Sequence, residues 1–331
     1  MIKLQPMIST VSHRLASEII ALLYMVVVVA MAVTVGPFYI LFPELGALSY
    51  DALSRPQGHW CRAPLHLATS PALAGVIGLI VTRRLPYGLP SVLLIVAGVM
   101  ILIEILKSPI APAISAGLLP LVLGITSWWY PPGILLGSVM LTALSILWKR
   151  FGLATWPEID IPFAAEREPS PPFSRRLGII LAFTVVAASA DLVTGLRFIL
   201  FPPLLVIAYE MFGHPASCPW AIKPMRLPLA CTLTAAAGFA FYKLLGVGPA
   251  AAACSMAAGM FVLRILELHV PPALAVAFLP MLMDSPTIAY PFAVGIGTSL
   301  LSMYFLAYQK LSGGVVEPAP VGVRFEETAG P

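Results

Sequence analysis

The stretch Ile40-Leu41-Phe42-Pro43-Glu44-Leu45 returns 159 residues later as Ile199-Leu200-Phe201-Pro202-Pro203-Leu204. Both stretches lead to an aromatic residue followed by an acid, Tyr50-Asp51 and Tyr209-Glu210. After one inserted residue the offset becomes 160, and it then holds for Trp60 and Trp220, Pro64 and Pro224, Ile105-Leu106 and Ile265-Leu266, Pro112-Ala113 and Pro272-Ala273, Leu119-Pro120 and Leu279-Pro280, Tyr130-Pro131 and Tyr290-Pro291, and Gly137 and Gly297. An offset this constant predicts a tandem duplication, and many transporters place their substrate site between such repeats.

The composition predicts an all-α polytopic membrane protein surrounded by a lipid bilayer. The chain is 59% hydrophobic and 10% charged, whereas a soluble domain carries about 25% charged residues. Apolar runs long enough to cross a hydrocarbon core about 30 Å thick lie at 17–36, 64–82, 89–106, 132–148, 177–195, 224–242, 247–266 and 288–308. The basic residues form no long stripe, which argues against nucleic acid as a partner.

The duplication predicts five consecutive segments along the chain. They are a cytoplasmic head at 1–16, a first membrane repeat at 17–150, a polar linker at 151–175, a second membrane repeat at 176–310 and a disordered tail at 311–331. Each repeat holds about four transmembrane helices and two shorter apolar segments. We expect the two tandem repeats to lie parallel in the membrane.

The four short segments are the most informative part of the pattern. They lie at 43–53, 110–124, 202–212 and 270–284, and each has proline at or next to its start, namely Pro43, Pro109 and Pro112, Pro202-Pro203, and Pro271-Pro272. Proline fits the first turn of a helix, where its missing N–H has no partner in any case. We expect re-entrant or broken helices that enter only part of the bilayer, and a full span with a proline kink is the alternative.

The distribution of positive charge predicts the orientation of the chain. If the short segments are re-entrant, twelve of the 19 Lys and Arg residues share one side with the termini. The other seven are Arg55, Arg62, Lys107, Arg197, Lys223, Arg226 and Arg264. The richer side is expected to be cytoplasmic, which puts both termini in the cytoplasm of a cell whose plasma membrane holds the protein.

The starts of the short helices are candidate substrate-binding positions. They are at Pro43, Pro112, Pro203 and Pro272. A helix start has unpaired N–H groups and the positive end of the helix dipole, which together favour an anion. Close packing of helices through proline and small residues is the competing explanation.

A reversal of charge order distinguishes the two copies. Glu104 corresponds to Arg264, and Lys107 corresponds to Glu267, both at the offset of 160. We expect a structural charge cluster in which each residue faces its counterpart, with local i,i+3 pairs as the alternative. Arg264 is also a candidate counter-ion for a substrate.

Two further residues are candidates for substrate binding. Arg197 precedes the helix that starts at Pro202, and an ion pair with Asp191 is the other interpretation. His269 immediately precedes Val270-Pro271-Pro272, where it can sense pH or donate a hydrogen bond to an anion.

The sequence contains no motif of an enzyme, and we expect no catalytic residues, metal or cofactor. The four cysteines lack metal-ligand spacing. Cys61 and Cys218 occupy equivalent loops. Two unpaired thiols are expected there, and a disulfide is the alternative.

The stretch Leu268-His269-Val270-Pro271-Pro272-Ala273-Leu274-Ala275 resembles the signature of the HPP family of integral membrane proteins, in which His-Pro-Pro is followed by small residues. The run from Phe201 to Leu227 is similar to the opening half of that family. Val270 interrupts the signature, and the first copy has Ser108-Pro109-Ile110-Ala111-Pro112 instead. The resemblance implies a tandem version of a four-span unit that works as an oligomer, and a role in transport of a small anion such as nitrite.

Two functions from different classes follow. The first is a transporter or channel for a small anion, nitrite-like or a small carboxylate, whose site lies between the repeats. The second is a membrane protein that does not transport, such as an assembly or accessory protein. A homo-oligomer is compatible with both.

Overall fold

The computed structural model describes residues 4–34, 38–55, 58–151, 171–215 and 218–311. These parts of the chain contain twelve α-helices and no strand. The helices are α1 (Leu4–Thr34), α2 (Glu44–Ser54), α3 (Pro64–Arg84), α4 (Leu89–Leu106), α5 (Ala113–Leu123), α6 (Tyr130–Arg150), α7 (Phe173–Thr194), α8 (Pro202–Gly213), α9 (Leu227–Leu245), α10 (Pro249–Ile265), α11 (Pro271–Phe278) and α12 (Ala289–Leu311). Seven are long and apolar enough to cross a membrane, namely α1, α3, α4, α6, α7, α9 with the turn before it, and α12.

The structure describes only parts of the segments expected outside the membrane repeats. Residues 4–16 were expected as a head, but they are continuous with the long helix α1. Most of the expected linker lies outside the described residues, and α7 begins at Phe173. The expected tail lies outside them except for Leu311, the last residue of α12.

The four short helices form the centre of the bundle. Every residue of α2, α8 and α11 is buried, and so is every residue of α5 except its last. Helix α2 packs against α11, α5 against α8, and α8 against α11. The eight longer helices surround them and present apolar side chains outward, such as Val193, Leu244 and Phe261. Helices that are apolar all round are buried ones, which explains why the short segments lie inside.

The bundle has two ends, and the chain alternates between them. We call end A the end defined by the contacts of Glu18 with Arg264, Arg176 with Glu104, His269 with Asp51, Trp60 with Glu210, Lys149 with Cys61, Lys223 with Glu267 and Arg175 with Tyr308. End B is defined by the contacts of Arg83 with Thr126, Tyr87 with Asp191, Arg197 with Leu121, Tyr39 with Tyr130 and Phe198 with Tyr290. Each odd-numbered helix therefore runs from A to B, and each even-numbered helix runs from B to A.

The short helices share this alternation, which differs from the re-entrant arrangement expected from their length. Tyr39 lies at end B beside the start of α6, whereas Asp51 lies at end A beside His269. Helix α2 spans about 16 Å at 1.5 Å per residue, and the 3₁₀ turn and extended residues at 38–43 supply the remaining distance. The segment therefore connects the two ends although its helix alone is too short.

Contacts within the bundle recur at the same offset as the sequence matches. The Cα of Gly78 lies so close to the Gly117 carbonyl that an added Cβ would be 1.8 Å from its oxygen. An added Cβ on Gly238 would be 2.1 Å from the carbonyl oxygen of Ala277. Close approach through small residues is a common way for membrane helices to pack without a large apolar side chain between them. The α3–α5 contact and the α9–α11 contact are therefore built alike.

Contacts between the two halves of the chain, 4–151 and 171–311, are also reciprocal. Helix α1 packs against α10, and α7 packs against α4. Helix α2 packs against α11, and α8 packs against α5. The first two helices of each half therefore lie against the middle helices of the other half.

Candidate functional site

A pocket of about 230 Å³ opens at end A between the two halves. The first half contributes the end of α4 and the segment before α5, and the second half contributes the start of α7 and the end of α8. The lining residues are Ile103, Glu104, Lys107, Ser108, Pro109, Arg176, Tyr209 and His214. Three of these side chains can carry a positive charge and one carries a negative charge, so the pocket favours an anion.

Arg176 is the best-fixed positive group of the pocket. Its Nη2 donates to Glu104 Oε2 at 2.8 Å, its Nη1 donates to the Tyr209 hydroxyl at 3.3 Å, and its guanidinium lies 5.6 Å from the Tyr209 ring centroid. The Arg176 Nε is buried without a hydrogen-bond partner in the described structure. A guanidinium held in the pocket wall in this way presents N–H donors in fixed directions to an anion.

Lys107 lies at the rim of the pocket because of an unusual backbone conformation. It ends α4 with a φ of 49°, in the left-handed region. Its amide donates to the Glu104 carbonyl and that of Ser108 to the Ile103 carbonyl, so the chain turns sharply towards α5. The Lys107 side chain is exposed and makes no recorded hydrogen bond or ion pair within the described residues. It is therefore available to a ligand.

The second polar cluster of end A surrounds His269. The His269 Nε2 lies 3.1 Å from Asp51 Oδ1, its ring stacks on Tyr50 at 5.2 Å, and Arg55 Nε donates to the same Asp51 oxygen at 2.8 Å. Burial lowers the pKa of His269, and the nearby Arg55 acts in the same direction. The structure thus places His269 against a carboxylate of the other half.

Three of the four residues of the expected charge cluster have other ion-pair partners. Arg264 pairs with Glu18 and Glu104 with Arg176. Glu267 lies 3.6 Å from Lys223 and 3.5 Å from Arg226. The expected pairing of each residue with its counterpart is therefore not the pairing recorded in the structure, because the first helix of the opposite half supplies the partner for Glu104 and for Arg264.

Arg197 belongs to a third cluster, at end B. Its Nη2 donates to the Leu121 carbonyl at 2.9 Å, and its guanidinium lies 4.2 Å from the Tyr87 ring centroid. The Tyr87 hydroxyl in turn donates to Asp191. Tyr87 therefore links Arg197 and Asp191, for which the sequence suggested a direct ion pair. The Arg197 guanidinium already has partners within the bundle.

The proline helix starts are buried but do not meet as one group. Pro43, Pro112, Pro203 and Pro272 all lie inside the bundle. Helices α2 and α8 are approached from end B, whereas α5 and α11 are approached from end A. The starts of α2 and α5 come together, because the Ser115 hydroxyl lies beside the Glu44 carboxylate.

Glu44 is the most isolated acid of the described chain. Its side chain is 0% exposed, and neither carboxylate oxygen makes a hydrogen bond to a described residue within normal geometry. The equivalent position in the second half is Pro203, and the equivalent of Ser115 is Ala275. The second half therefore packs the equivalent region with apolar residues and without a carboxylate.

Sequence reasoning missed Arg176, Tyr209 and Glu18 as site residues. Arg176 follows a polar stretch and is the first residue of the second repeat expected at 176–310, and Tyr209 is marked in the sequence only as the repeated aromatic residue before an acid. The two loop cysteines, Cys61 and Cys218, are free thiols. Burial raises the pKa of Cys61 to about 11, so this thiol is protonated at neutral pH.

The apolar exterior, the buried short helices and the seven membrane-length helices are those of a polytopic helical membrane protein. The chain matches no family model, no curated protein and no solved structure. The site therefore has to be interpreted from its own geometry.

Proposed function

We propose that the protein is an integral membrane transporter for a small anion, with its binding pocket at end A between the two halves. The observation that carries the proposal is the pocket that both halves build around Arg176 and Lys107. A volume of about 230 Å³ suits a small ion with part of its water shell or a small carboxylate.

The charges of the pocket support an anion over a cation. Glu104 already shares its negative charge with Arg176 at 2.8 Å, whereas Lys107 has no recorded acidic partner among the described residues. The Tyr209 hydroxyl and the Ser108 hydroxyl add neutral groups that can donate hydrogen bonds. Ser108 is held in place by a 2.8 Å hydrogen bond to Ser70. The substrate class is thus the one expected from the sequence, but Lys107 and Arg176 take the place of Arg197 and Arg264 as its binding groups.

The duplication expected from the sequence supports a site between the halves. The reciprocal packing of α1 on α10 and α7 on α4, together with the paired close contacts at Gly78 and Gly238, fits two parallel copies related by a rotation near two-fold. Transporters with repeats commonly bind substrate where the repeats meet. We infer the same arrangement here, and the resemblance to HPP proteins agrees with it.

The distribution of positive charge supports end A as the cytoplasmic end. Among the described Lys and Arg residues, end B holds only Arg83, Arg84, Arg197 and Lys243. End A holds Arg14, Arg55, Arg62, Lys107, Lys149, Arg150, Arg175, Arg176, Lys223, Arg226, Arg264 and Lys310. This bias is stronger than the one expected with re-entrant segments, and positive residues favour the cytoplasm. The pocket then opens to the cytoplasm of a cell whose plasma membrane holds the chain.

One observation favours the second candidate function, a membrane assembly or accessory protein that does not transport. The central helices are apolar and packed along their whole length. A transporter must therefore open this centre during its cycle, whereas an accessory protein has no need to.

Anion flux in proteoliposomes tests the proposal. Purified protein is reconstituted and assayed with nitrite, nitrate, chloride, formate and acetate. We expect at least one of them to cross faster than in protein-free vesicles, and Lys107→Gln to slow that flux about fivefold, which corresponds to a loss of about 1 kcal/mol. The matched control is Lys243→Gln, because Lys243 lies at end B over the rings of Phe239 and Tyr242. Vesicles that move none of these anions would overturn the proposal in favour of the accessory function.

A further inference from the structure

The side chain of Glu44 lies at the start of a central helix where an acid has no structural partner. It is the first residue of α2, which is an eleven-residue helix. Burying a carboxylate without hydrogen bonds is costly, and acids inside a membrane protein usually mark ion or proton pathways. The second half places Pro203 at this position, so the fold itself does not require the acid.

No counter-charge lies near Glu44 on the described elements that pack against α2. These elements are helices α1, α6 and α11 and the turn His59–Arg62. Their ionisable residues other than tyrosine all belong to end A, at the other end of α2, and are His13, Arg14, Glu18, His59, Cys61, Arg62, Lys149 and Arg150. The two tyrosines of the elements around Glu44 are engaged, since Tyr24 donates to the Gly137 carbonyl and Tyr130 to that of Ala116. Helix α11 has no titratable side chain.

The polar groups beside Glu44 indicate which ion fits. The Ser115 hydroxyl lies beside the Glu44 carboxylate, but neither carboxylate oxygen has a hydrogen-bond partner among the described residues. A metal cation needs several oxygen ligands, whereas a proton needs only one carboxylate oxygen. The site is therefore suited to a proton and poorly suited to sodium or a divalent cation.

The pocket and Glu44 are connected through the start of α5. Ser108 and Pro109 line the pocket and lie five and four residues before this helix, and Ser115 lies in its first turn beside Glu44. Ser108 and Ser115 therefore place one hydroxyl group at the pocket and one at the carboxylate, at the two ends of a single short segment.

We propose that Glu44 is a proton-binding site that couples anion movement to a proton gradient. The inference rests on the proposed transport function. One proton from water at end A adds to one Glu44 carboxylate oxygen. The same proton later leaves the carboxyl group to water at end B. Movement of one proton with one monovalent anion transfers no net charge.

Infrared difference spectroscopy tests proton binding without reference to transport. We expect purified protein at neutral pH to show the C=O band of a protonated carboxyl group, and Glu44→Gln to lack it. Glu267→Gln is the control, because Glu267 is 74% exposed at end A, and its spectrum should keep the band. A spectrum in which Glu44→Gln keeps every such band would overturn the proposal.

Flux under an imposed proton gradient tests the coupling. We expect acid outside the vesicles to accelerate anion uptake by the unmodified protein and by Glu267→Gln. In Glu44→Gln this acceleration should be lost while exchange at equal pH remains. A gradient response that is unchanged in Glu44→Gln would overturn the coupling. Absence of anion flux in the unmodified protein would overturn the transport function and the coupling with it, and the infrared band would still decide whether Glu44 holds a proton.

A second variant separates this result from misfolding. Glu44→Leu places an apolar side chain where the other half has Pro203, so we expect it to fold and to have a higher melting temperature than the unmodified protein. It should also lose the gradient response. A folded Glu44→Leu protein with a full gradient response would contradict the proposal.

Discussion

Glu104 of α4 and Arg176 of α7 form an ion pair at 2.8 Å across the two halves of the chain. The reverse arrangement joins Glu18 of α1 to Arg264 of α10. Glu104 and Arg264 occupy equivalent sequence positions, so the acid and the base have changed places between two similar contacts. The reversed charges at Glu104 and Arg264 are thus explained by partners on the first helix of the opposite half.

This relationship predicts that Glu104 and Arg176 are energetically coupled. The Arg176 side chain is 11% exposed and that of Glu104 is 47% exposed. Glu104→Gln leaves a nearly buried guanidinium without its carboxylate, and we expect it to cost about 1–3 kcal/mol of stability. The double variant that carries both Glu104→Arg and Arg176→Glu should recover part of that loss. Thermal unfolding in detergent of Glu104→Arg, of Arg176→Glu and of the double variant measures the coupling.

Glu267→Gln is the control for this series. Its side chain is exposed and its ion pairs are 3.5–3.6 Å long, so we expect a change within about 0.5 kcal/mol. Additive effects of the two changes at Glu104 and Arg176 would show that the pair is not coupled.

The close approach of α9 and α11 predicts that Gly238 cannot be replaced. An added Cβ would lie 2.1 Å from the Ala277 carbonyl oxygen and 2.7 Å from the Ala277 Cα. Since backbone cannot move aside as a side chain can, Gly238→Ala should destabilise the fold by about 3 kcal/mol. The loss of monodisperse protein in size-exclusion chromatography after heating measures this effect.

Gly178 provides a matched glycine in a helix. It lies in α7, and an added Cβ there has no atom within 4 Å. Gly178→Ala should leave stability unchanged or raise it by up to about 1 kcal/mol. If Gly238→Ala and Gly178→Ala behaved alike, the close contact between α9 and α11 would be refuted.

The sequence predicted the long helices well because apolar length alone identifies them. The run expected at 89–106 is α4, and the one expected at 64–82 lies within α3. The run expected at 247–266 contains only the 17-residue α10, which is shorter than each of the seven membrane-length helices. The path of the short segments was not predictable in the same way. An eleven-residue helix such as α2 is too short to cross a bilayer, and the sequence does not show that the 3₁₀ turn and extended residues before it add the missing length.

Less of the candidate site was predictable, because partners across the two halves leave no local pattern. Arg176 follows a polar, proline-rich stretch, so its sequence context does not indicate that its side chain lies inside the bundle and donates to Tyr209. Glu44 was visible only as the acid that replaces a proline of the other copy. Its isolation depends on the packing of four elements, which the sequence alone does not specify.

The environment of His269 predicts a pH dependence of stability. Burial and Arg55 lower its pKa, so the folded protein takes up this proton at a lower pH than the unfolded chain, which does so near pH 6.5. The stabilisation by neutral His269 is therefore present above about pH 6.5 and is lost as the pH falls below it. The stability difference between the unmodified protein and His269→Gln should shrink by up to about 1.4 kcal/mol per pH unit in that range. Thermal unfolding from pH 7.5 to 5 measures it, and parallel curves for the two proteins would contradict it.

The alternation of the helices between end A and end B predicts the topology of the whole chain in the membrane. Because the short segments also connect the two ends, Lys107 and Glu267 should lie on the cytoplasmic side and Arg84 on the outer side. Re-entrant short segments would place Lys107 and Arg150 on opposite sides of the membrane, whereas segments that connect the two ends place both at end A. The positions of Arg84, Lys107, Arg150 and Glu267 therefore distinguish the two arrangements. Single cysteines at them are introduced into a variant in which Cys61, Cys218, Cys231 and Cys254 are replaced.

A membrane-impermeant maleimide added to intact cells reads out this topology. We expect Arg84→Cys to be labelled at once, whereas Lys107→Cys, Arg150→Cys and Glu267→Cys should be labelled only after the membrane is permeabilised. All four side chains are exposed on the described surface, so poor access within the fold does not explain a missing label. Labelling of Lys107→Cys in intact cells together with protection of Arg150→Cys would show that the short helices turn back within the bilayer.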